Sequence, residues 1–312
     1  MRVVLVDPSR TATKFISRLL ETRQHEVRCF ADGREALAYI KSDQEVGALI
    51  TSAEPLSISG LELCWETRLI ASSHWPIYVI MMSSSQDQDK MIAALDHGAD
   101  DFLNKSPQPE ELFARLRAAE RFVNMQRELI RLATTDSLTG MFNRRAFFER
   151  AKVLCARAAA GEKLAAMMVD IDHFKRVNDT HGHDVGDAAL CAVAHELMNE
   201  RVLLGRLGGE EFALLLEGRS MADAVNMGER IRSNIEKLEI ESGSVILQLT
   251  CSFGVSEWLR HDTIDRMLKR ADMALYEAKL TGRNRVVAAD HAMLTTNYDE
   301  VGRLVRSAAK SA

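Results

Sequence analysis

The sequence lacks the features that mark disulfide-rich, zinc-binding or membrane-spanning proteins. Its five cysteines are odd in number and show no Cys-x-x-Cys spacing, which argues against a disulfide framework or a zinc site. No apolar run approaches the roughly 20 residues that a transmembrane helix needs, and the N-terminal run reaches Asp7 too early for a signal peptide. We therefore expect a protein of the reducing cytoplasm without a membrane segment.

An excess of positive charge is also missing. The formal net charge of -5 gives no general attraction to nucleic acid or anionic lipid, so a phosphate-bearing ligand needs a local site. A DNA-binding regulator is disfavoured because no basic helix-turn-helix region is present. The 312 residues are 46% hydrophobic, which is enough for more than one core, and the length suggests two domains.

The first part of the chain, residues 1–118, alternates short apolar runs with longer amphipathic ones. Five such strand-then-helix units predict an α/β fold: a doubly wound, five-stranded parallel sheet with helices on both faces. Ligand chemistry in this fold lies at the carboxyl ends of the strands. The predicted strands are 3–6, 27–30, 48–50, 77–82 and 101–103.

A helix that starts near Pro109 continues to residue 133 without Gly or Pro. Its apolar residues keep a spacing of three and four, which predicts a helical stalk over 109–133 that pairs with a second copy of the chain. A single amphipathic helix lying on its own domain is the alternative. The apolar positions are Leu112, Leu116, Ala119, Val123, Ile130 and Ala133, interrupted by Gln126.

Capping residues at 134–137 indicate that a second domain, residues 134–290, begins there. Its pattern predicts an α+β sheet with a central hairpin and helices that could all lie on one face. The tail, 291–312, receives no function. The predicted strands are 164–169, 202–207, 212–216, 245–250 and 285–287, and the predicted helices are 143–158, 187–199, 220–237 and 264–279.

Carboxylates follow two of these strands. Gly208 and Gly209 predict a two-residue hairpin turn, and Glu210 and Glu211 follow it. On their own, these acids could equally be solvated charges on an edge hairpin. Asp170 and Asp172, at the end of the 164–169 strand, alter that balance, because converging carboxylates provide the hard oxygen ligands that Mg²⁺ requires. We therefore predict a magnesium site there.

Basic residues near these acids suit a phosphate chain. Lys175 begins a short predicted helix, whose free amide groups also favour anions. Lys279 and Arg283 flank the end of a later helix, where cations could instead serve only to stabilise the helix dipole.

The second domain, over about residues 134–290, resembles a known family, the GGDEF diguanylate cyclases. The motifs that carry this resemblance are Asp136-x-Leu138-Thr139, Asp170-Ile171-Asp172-His173-Phe174-Lys175-x-x-Asn178-Asp179, Gly186-Asp187, Gly208-Gly209-Glu210-Glu211-Phe212 and Ala278-Lys279-x-x-Gly282-Arg283-Asn284.

The resemblance implies a nucleotidyl cyclase-like fold and the condensation of two GTP molecules into cyclic di-GMP. It implies two Mg²⁺ or Mn²⁺ ions per site, held by Asp170, the Ile171 carbonyl, Glu210 and Glu211, with one of the glutamates also able to accept a proton. The two-fold symmetric product implies a homodimer. Substrate-binding residues implied by the family pattern are Phe174, Lys175, Asn178, Asp187, Gly208, Gly209, Lys279 and Arg283.

Asp187 bears on the choice of base, because its carboxylate can accept both the N1-H and N2-H donors of guanine, whereas adenine offers no such pair. A first-turn acid that stabilises the helix dipole is the alternative for this residue.

The first domain resembles a response-regulator receiver, through Asp7, Gly60 and the 98–105 stretch. The family's spacing places Ser52 at the phosphoacceptor position, and a serine cannot form the labile acyl phosphate. Pro8 also replaces a second acid after Asp7, while Ser83 and Lys105 match the remaining switch positions. We expect a dimerisation or partner-docking domain that is not controlled by standard phosphorylation.

A second departure concerns the family's Arg-x-x-Asp product-inhibition site, which here reads Asn199 and Val202. Neither residue can make charge-assisted contacts with the product, so feedback inhibition should be weak or absent. The alternative function is a catalytically idle adaptor that binds GTP or a protein partner. It is disfavoured because the family's catalytic positions are retained.

Overall fold

The computed structural model describes residues 1–71, 75–83, 88–198, 202–243 and 245–290. The chain divides into two compact units, Met1–Ala133 and Thr134–Ala312. Asn199 and the tail 291–312 lie outside the described residues. Within those residues, none of the helices has the length and apolar character needed to span a bilayer.

The N-terminal unit contains the predicted parallel sheet, in the strand order β2-β1-β3-β4-β5. Central strand β3 is buried along its whole length, so apolar side chains fill the space on both faces. The fold predicted for this region is confirmed. The elements are β1 Arg2–Val6, α1 Arg10–Glu21, β2 Glu26–Phe30, α2 Gly33–Ser42, β3 Val46–Ser52, α3 Gly60–Ala71, β4 Tyr78–Ser83, α4 Gln88–Asp96, β5 Asp101–Asn104 and α5 Pro109–Thr134.

Helix α5 carries two different apolar surfaces. Leu112 and Leu116 belong to the core of the N-terminal unit, and Ala119 and Val123 are also buried. For this half of the helix the alternative interpretation is correct, because the predicted stalk positions pack on their own domain. Beyond them, three large apolar side chains are exposed at a spacing of four and three: Met125, Leu129 and Leu132.

The C-terminal unit is built on a six-stranded mixed sheet in the order β13-β12-β7-β9-β8-β6. Strand β7 lies near its centre, buried along its length, and runs antiparallel to β9 and β12. The elements are β6 Phe142–Asn143, α6 Arg144–Ala159, β7 Leu164–Ile171, α7 Phe174–His181, α8 His183–Met198, β8 Leu203–Gly208, β9 Glu211–Glu217, α9 Met221–Glu236, β10 Ile240–Ser242, β11 Val245–Leu247, β12 Cys251–Glu257, α10 Ile264–Leu280 and β13 Val286–Ala288.

Helices cover both faces of this sheet, so the one-sided arrangement was wrong. The apolar residues of β7 divide between two cores: Val169 faces one cluster with α8 and α9, and Met168 faces another with α6 and α10. A strand buried on both faces requires two helical layers. The polar Asp170 therefore lies on the α6 and α10 side, because it is two residues from Met168.

The strand predicted at 245–250 was also misplaced. Residues 245–247 form a separate two-stranded hairpin, and the strand beside β7 is β12. Small residues on one face of β12 obscured its pattern, since α10 packs closely against that face. A Cβ atom on Gly254 would lie 2.0 Å from the carbonyl oxygen of Ala271. The hydroxyl of Ser256 donates to the carbonyl of Met267 at 2.8 Å.

Candidate active site

Asp170 and Glu211 are direct partners across the antiparallel β7–β9 pair. Residues that are opposite in such a pair have their Cβ atoms about 5 Å apart, so two carboxylates meet at this end of the sheet. Asp170 is 4% exposed, whereas Glu211 is exposed. The site therefore combines one buried acid with one that faces solvent.

Lys279 of α10 forms an ion pair with Asp170, at 2.8 Å between Nζ and Oδ2. Burial raises the pKa of Asp170 to about 6, and the charges of Glu210 and Glu211 raise it too, although Lys279 opposes them. The sequence predicted that Lys279 binds phosphate. In this arrangement its ammonium group is paired with the buried acid instead.

The donor chemistry of these residues fits a divalent cation. Burial is the main cause of the raised pKa of Asp170, and the negative charges of Glu210 and Glu211 add to it. A hard cation would relieve this concentration of negative charge. Across the described ranges, however, no three His, Cys, Asp or Glu side chains converge closely enough to hold a metal ion. Asp170 and Glu211 are the pair that the backbone register itself brings together.

The hairpin turn is shifted by one residue from its predicted position. Gly208 pairs with Glu211, so Gly209 and Glu210 form the turn. A register irregularity between Arg206 and Gly208 accounts for the shift, because a bulge adds one residue to a strand. Gly208 and Gly209 have φ values of 156° and 49°, which glycine adopts without strain.

Arg206 holds this turn, a role that was not predicted. Its Nε donates to the carbonyl oxygen of Gly209 at 2.9 Å, and its Nη1 donates to Asp136 at 3.0 Å. Asp136 also accepts from the backbone and hydroxyl groups of Thr139. Although burial opposes it, these hydrogen bonds and Arg206 lower the pKa of Asp136. Asp136 belongs to one of the motifs that carry the family resemblance, and this was the signal in the sequence.

Asn178 lies between α7 and α8, beside Gly186. A Cβ atom on Gly186 would lie 1.9 Å from the Oδ1 atom of Asn178 and 3.3 Å from the ring of Phe174, so a side chain there would displace Asn178. The Oδ1 atom is buried and accepts no hydrogen bond from the described residues. This is an unsatisfied acceptor, buried where α7 packs against Gly186 of α8.

Asp187 is exposed in the second turn of α8, which begins at His183. The first-turn acid is Asp184, so helix-dipole stabilisation does not account for Asp187. Lys175, in the first turn of α7, is exposed as well. Among the residues that the structure describes, the side chain of Lys175 has no hydrogen-bond or ion-pair partner.

Asp172 differs from the other acids because hydrogen bonds engage both of its carboxylate oxygens, whereas the sequence predicted that it joins Asp170 at a magnesium site. Its carboxylate is 5% exposed and accepts hydrogen bonds from Thr250, Ser252 and the backbone N-H of Asn284. Arg283 precedes Asn284 in the loop after α10 and is half-buried.

A cavity of about 520 Å³ borders Asp172 and His173 and continues along α7 to His181. It lies on a different face of α7 from Asn178, and none of the predicted substrate residues lines it.

The predicted switch positions of the N-terminal unit also lie together. Asp7 is 2% exposed, and its Oδ2 atom lies 3.4 Å from Nζ of Lys105 without hydrogen-bond geometry. Ser52 ends the adjacent strand, fully buried, and its Oγ atom has no hydrogen-bond partner among the described residues. Ser83 is buried, and its carbonyl accepts from the backbone of Lys105.

Comparison with known proteins identifies both units. Residues 133–285 match the family described as diguanylate cyclase, GGDEF domain, and residues 3–117 match the response regulator receiver domain. The chain belongs to the GGDEF family, with a receiver domain ahead of its GGDEF domain.

Two curated relatives resemble this receiver–GGDEF chain. The response regulator PleD of Caulobacter vibrioides is 33% identical over 300 residues, which cover 92% of the chain and 65% of PleD. The diguanylate cyclase VdcA of Vibrio cholerae is 40% identical over 177 residues, 55% of the chain and 50% of VdcA. The chain thus spans less than two thirds of either relative.

A solved structure is similar to the GGDEF domain and the segment before it. It contains the coiled coil and GGDEF domain of DgcB from Caulobacter crescentus in complex with c-di-GMP. The TM-score is 0.53 at 32% sequence identity, and the match covers 58% of the chain and 98% of the DgcB chain.

Proposed function

We propose that the GGDEF domain is a diguanylate cyclase, which condenses two GTP molecules into cyclic di-GMP and two pyrophosphates. The observation that carries this proposal is the pairing of Asp170 with Glu211 at one end of the sheet, beside Lys279. The similarity to VdcA, which is named as a diguanylate cyclase, supports it. GTP and free thiols both fit a cytoplasmic location.

In the reaction, the 3′-oxygen of one GTP bonds to the α-phosphorus of the other. The bond from that phosphorus to the bridging oxygen breaks, pyrophosphate leaves, and Glu210 or Glu211 accepts the hydroxyl proton. Two Mg²⁺ or Mn²⁺ ions, held by Asp170, the Ile171 carbonyl and the two glutamates, would neutralise the triphosphate.

Three cations would hold the phosphates: Lys175, Lys279 and Arg283. Among the described residues, the side chains of Lys175 and Arg283 have no hydrogen-bond or ion-pair partner, so both cationic groups are available to a ligand. Lys279 would have to exchange Asp170 for a phosphate oxygen, since the two side chains are paired at 2.8 Å. Binding of the substrate therefore involves rearrangement of one ion pair.

Guanine would bind between α7 and α8, next to Phe174. The buried Oδ1 atom of Asn178 is an acceptor for a base N-H, and Asp187 is exposed on the neighbouring helix. A site that provides paired acceptors discriminates strongly against a base without matching donors. We therefore expect GTP to be used in preference to ATP.

Each GGDEF domain would bind one GTP, so catalysis requires two domains to face each other. The exposed stripe of Met125, Leu129 and Leu132 on α5 supports self-association, because its spacing of four and three is that of a coiled-coil seam.

Leu129→Glu should weaken the dimer and the activity together by more than tenfold. Leu69→Glu, at an equally exposed leucine on α3, is the matched control, and analytical ultracentrifugation measures the dimer.

Control of the enzyme would not use standard receiver phosphorylation, since Ser52 is buried at the acceptor position. The receiver domain would act in dimerisation or in docking a protein partner. Product inhibition through the usual site should also be weak, because Val202 occupies one of its two positions. Inhibition of the purified enzyme by low micromolar cyclic di-GMP would contradict this.

The deciding experiment incubates the full chain with GTP and Mg²⁺ and measures both products. One cyclic di-GMP and two pyrophosphates per two GTP are expected. If GTP binds but neither product forms, the chain is the idle adaptor and the proposal is wrong.

A further inference from the structure

Asp172 joins three parts of the GGDEF domain that are distant in sequence. Its Oδ2 atom accepts from Thr250 Oγ1 at 2.6 Å and from the backbone N-H of Asn284 at 3.0 Å. Its Oδ1 atom accepts from Ser252 Oγ at 2.6 Å. One buried carboxylate thus ties the end of β7 to the start of β12 and to the loop that follows α10.

That loop adopts a backbone conformation that requires support. Arg283 and Asn284 have φ values of 62° and 45°, and Gly282 before them has a φ of 126°. Left-handed conformations are uncommon for residues with a Cβ atom and persist where surrounding contacts enforce them. Two such residues in succession indicate that the loop is held from outside.

Asn284 is held on both its backbone and its side chain. Its amide Nδ2 donates to Glu236 at 2.8 Å, and its Oδ1 accepts from Arg232 at 2.9 Å, both on α9. Its backbone N-H donates to Asp172. The α9 contacts fix the side chain, while Asp172 fixes the backbone next to Arg283.

We propose that Asp172 is a positioning residue, which sets the Arg283 loop so that the guanidinium group can grip the GTP phosphates. This inference rests on the proposed function for the role of Arg283. The proposal assigns metal binding to Asp170 and not to Asp172, because each carboxylate oxygen of Asp172 already accepts a short hydrogen bond from a hydroxyl group. Asp170, two residues earlier, has a lysine as its partner instead.

Asp172→Asn separates positioning from metal binding. An asparagine can keep all three hydrogen bonds: its oxygen accepts from Thr250 and Asn284, and its NH₂ group donates to Ser252, whose hydroxyl turns to accept. We expect the KM for GTP, the kcat and the Mg²⁺ dependence to stay within about threefold of the parent. Loss of turnover with a raised Mg²⁺ requirement would identify Asp172 as a ligand and overturn the proposal.

Asp172→Ala removes all three contacts. The KM for GTP should rise about tenfold or more, with a smaller change in kcat. The reason is that the backbone next to Arg283, the residue proposed to bind GTP, loses its hydrogen bond to a charged carboxylate. Amide hydrogen exchange of the 281–286 segment, measured on protein without nucleotide or metal, should become at least about tenfold faster. An unchanged exchange rate in a folded variant contradicts the proposal.

Ser252→Ala provides a milder change in case Asp172→Ala fails to fold. Its matched control is Ser256→Ala on the same strand, because Ser256 is equally buried but donates to the backbone of α10. Faster exchange of the 281–286 segment is expected in Ser252→Ala alone. Equally fast exchange in the two variants would show that Asp172 only supports the domain in general, and would contradict a specific role in positioning the loop.

Hydrogen exchange and turnover give separable answers. If the parent chain makes no cyclic di-GMP, the proposed function fails, while the exchange measurements still test whether Asp172 holds the loop. If the parent is active and the loop is unaffected by Asp172→Ala, the positioning role fails alone.

Discussion

The two domains share a local device: each places a buried aspartate beside a lysine at the end of a strand. In the receiver domain, Asp7 follows β1 and lies 3.4 Å from Lys105. In the GGDEF domain, Asp170 near the end of β7 lies 2.8 Å from Lys279. Because both pairs are close to neutral, the pair alone does not make a metal site.

The neighbours of each pair make the difference. Asp170 has Glu211 opposite it in the sheet, and this charge with that of Glu210 adds to the effect of burial in raising its pKa. Asp7 is followed by Pro8, and the adjacent strand ends in the uncharged Ser52. Surplus negative charge attracts a divalent cation, and among the residues that the structure describes it lies beside the GGDEF pair and not beside the receiver pair. The same device is therefore a candidate catalytic centre in one domain and a structural contact in the other.

The largest expected effect follows from removing that surplus. Glu211→Ala should lower the cyclase rate by at least about 10³-fold, because it removes an acid assigned to metal binding and proton transfer. The residue is exposed, so the free energy of unfolding should change little. Glu217→Ala, at the other end of β9, is the control and should retain activity. A Glu211→Ala enzyme with more than a tenth of the parent rate contradicts the assignment.

A smaller effect should appear in how the free energy of unfolding depends on pH, through the buried Asp170. The pKa of Asp170 is about 6, above its ordinary value of 3.8, so the folded protein binds the proton more tightly than the unfolded chain. The unfolding free energy of the metal-free protein should therefore fall as pH rises from about 4 to about 6, by up to about 2 kcal/mol after solvent screening.

Asp170→Asn tests this pH dependence. The variant should lose most of this slope and unfold at a higher temperature than the parent at pH 7, although it is inactive. Urea titrations at several pH values measure both chains. Parallel curves for the two chains would show that Asp170 is not the group responsible.

Removal of the lysine from the receiver pair, Asp7 and Lys105, should change the free energy of unfolding by a still smaller amount. Lys105→Met leaves Asp7 buried without its cation, at a cost of about 1 kcal/mol, since the contact lacks hydrogen-bond geometry and Lys105 is partly exposed. Cyclase activity should stay within about twofold of the parent. Urea unfolding of the full chain, monitored by circular dichroism, measures the cost.

A phosphodonor should have no effect. Acetyl phosphate with Mg²⁺ should change neither the mass of the chain nor its cyclase rate, because Ser52 cannot form an acyl phosphate. A mass increase of one phosphoryl group together with faster turnover would show that the receiver domain has retained a switch.

The sequence was sufficient to predict the elements that repeat a clear pattern. The alternating units of residues 1–118 predicted the parallel sheet, and the glycine pair predicted a hairpin, which the structure places beside the strand that carries Asp170. Such patterns are readable because burial has a fixed period in strands and helices. The assignment of Glu210, Glu211 and Asp170 to catalysis depends on the family resemblance and remains a prediction.

Other features depend on tertiary contacts that leave little local signal. Strand β12 was missed because Gly254 and Ser256 are small where α10 approaches, so its pattern is weak on one face. The turn was displaced by a bulge that no residue type near Arg206 specifies. The hydrogen bonds that engage Asp172 come from Ser252 and Asn284, 80 and 112 residues away.

Helix α5 imposes a constraint on how this protein can evolve. Its buried stripe, Leu112 to Val123, and its exposed stripe, Met125 to Leu132, point in directions about 140° apart around the helix axis. Inserting or deleting one residue between Val123 and Met125 would rotate the second stripe by about 100° relative to the first. Length variants that keep both surfaces in phase should therefore differ by about seven residues, two helical turns, at a time.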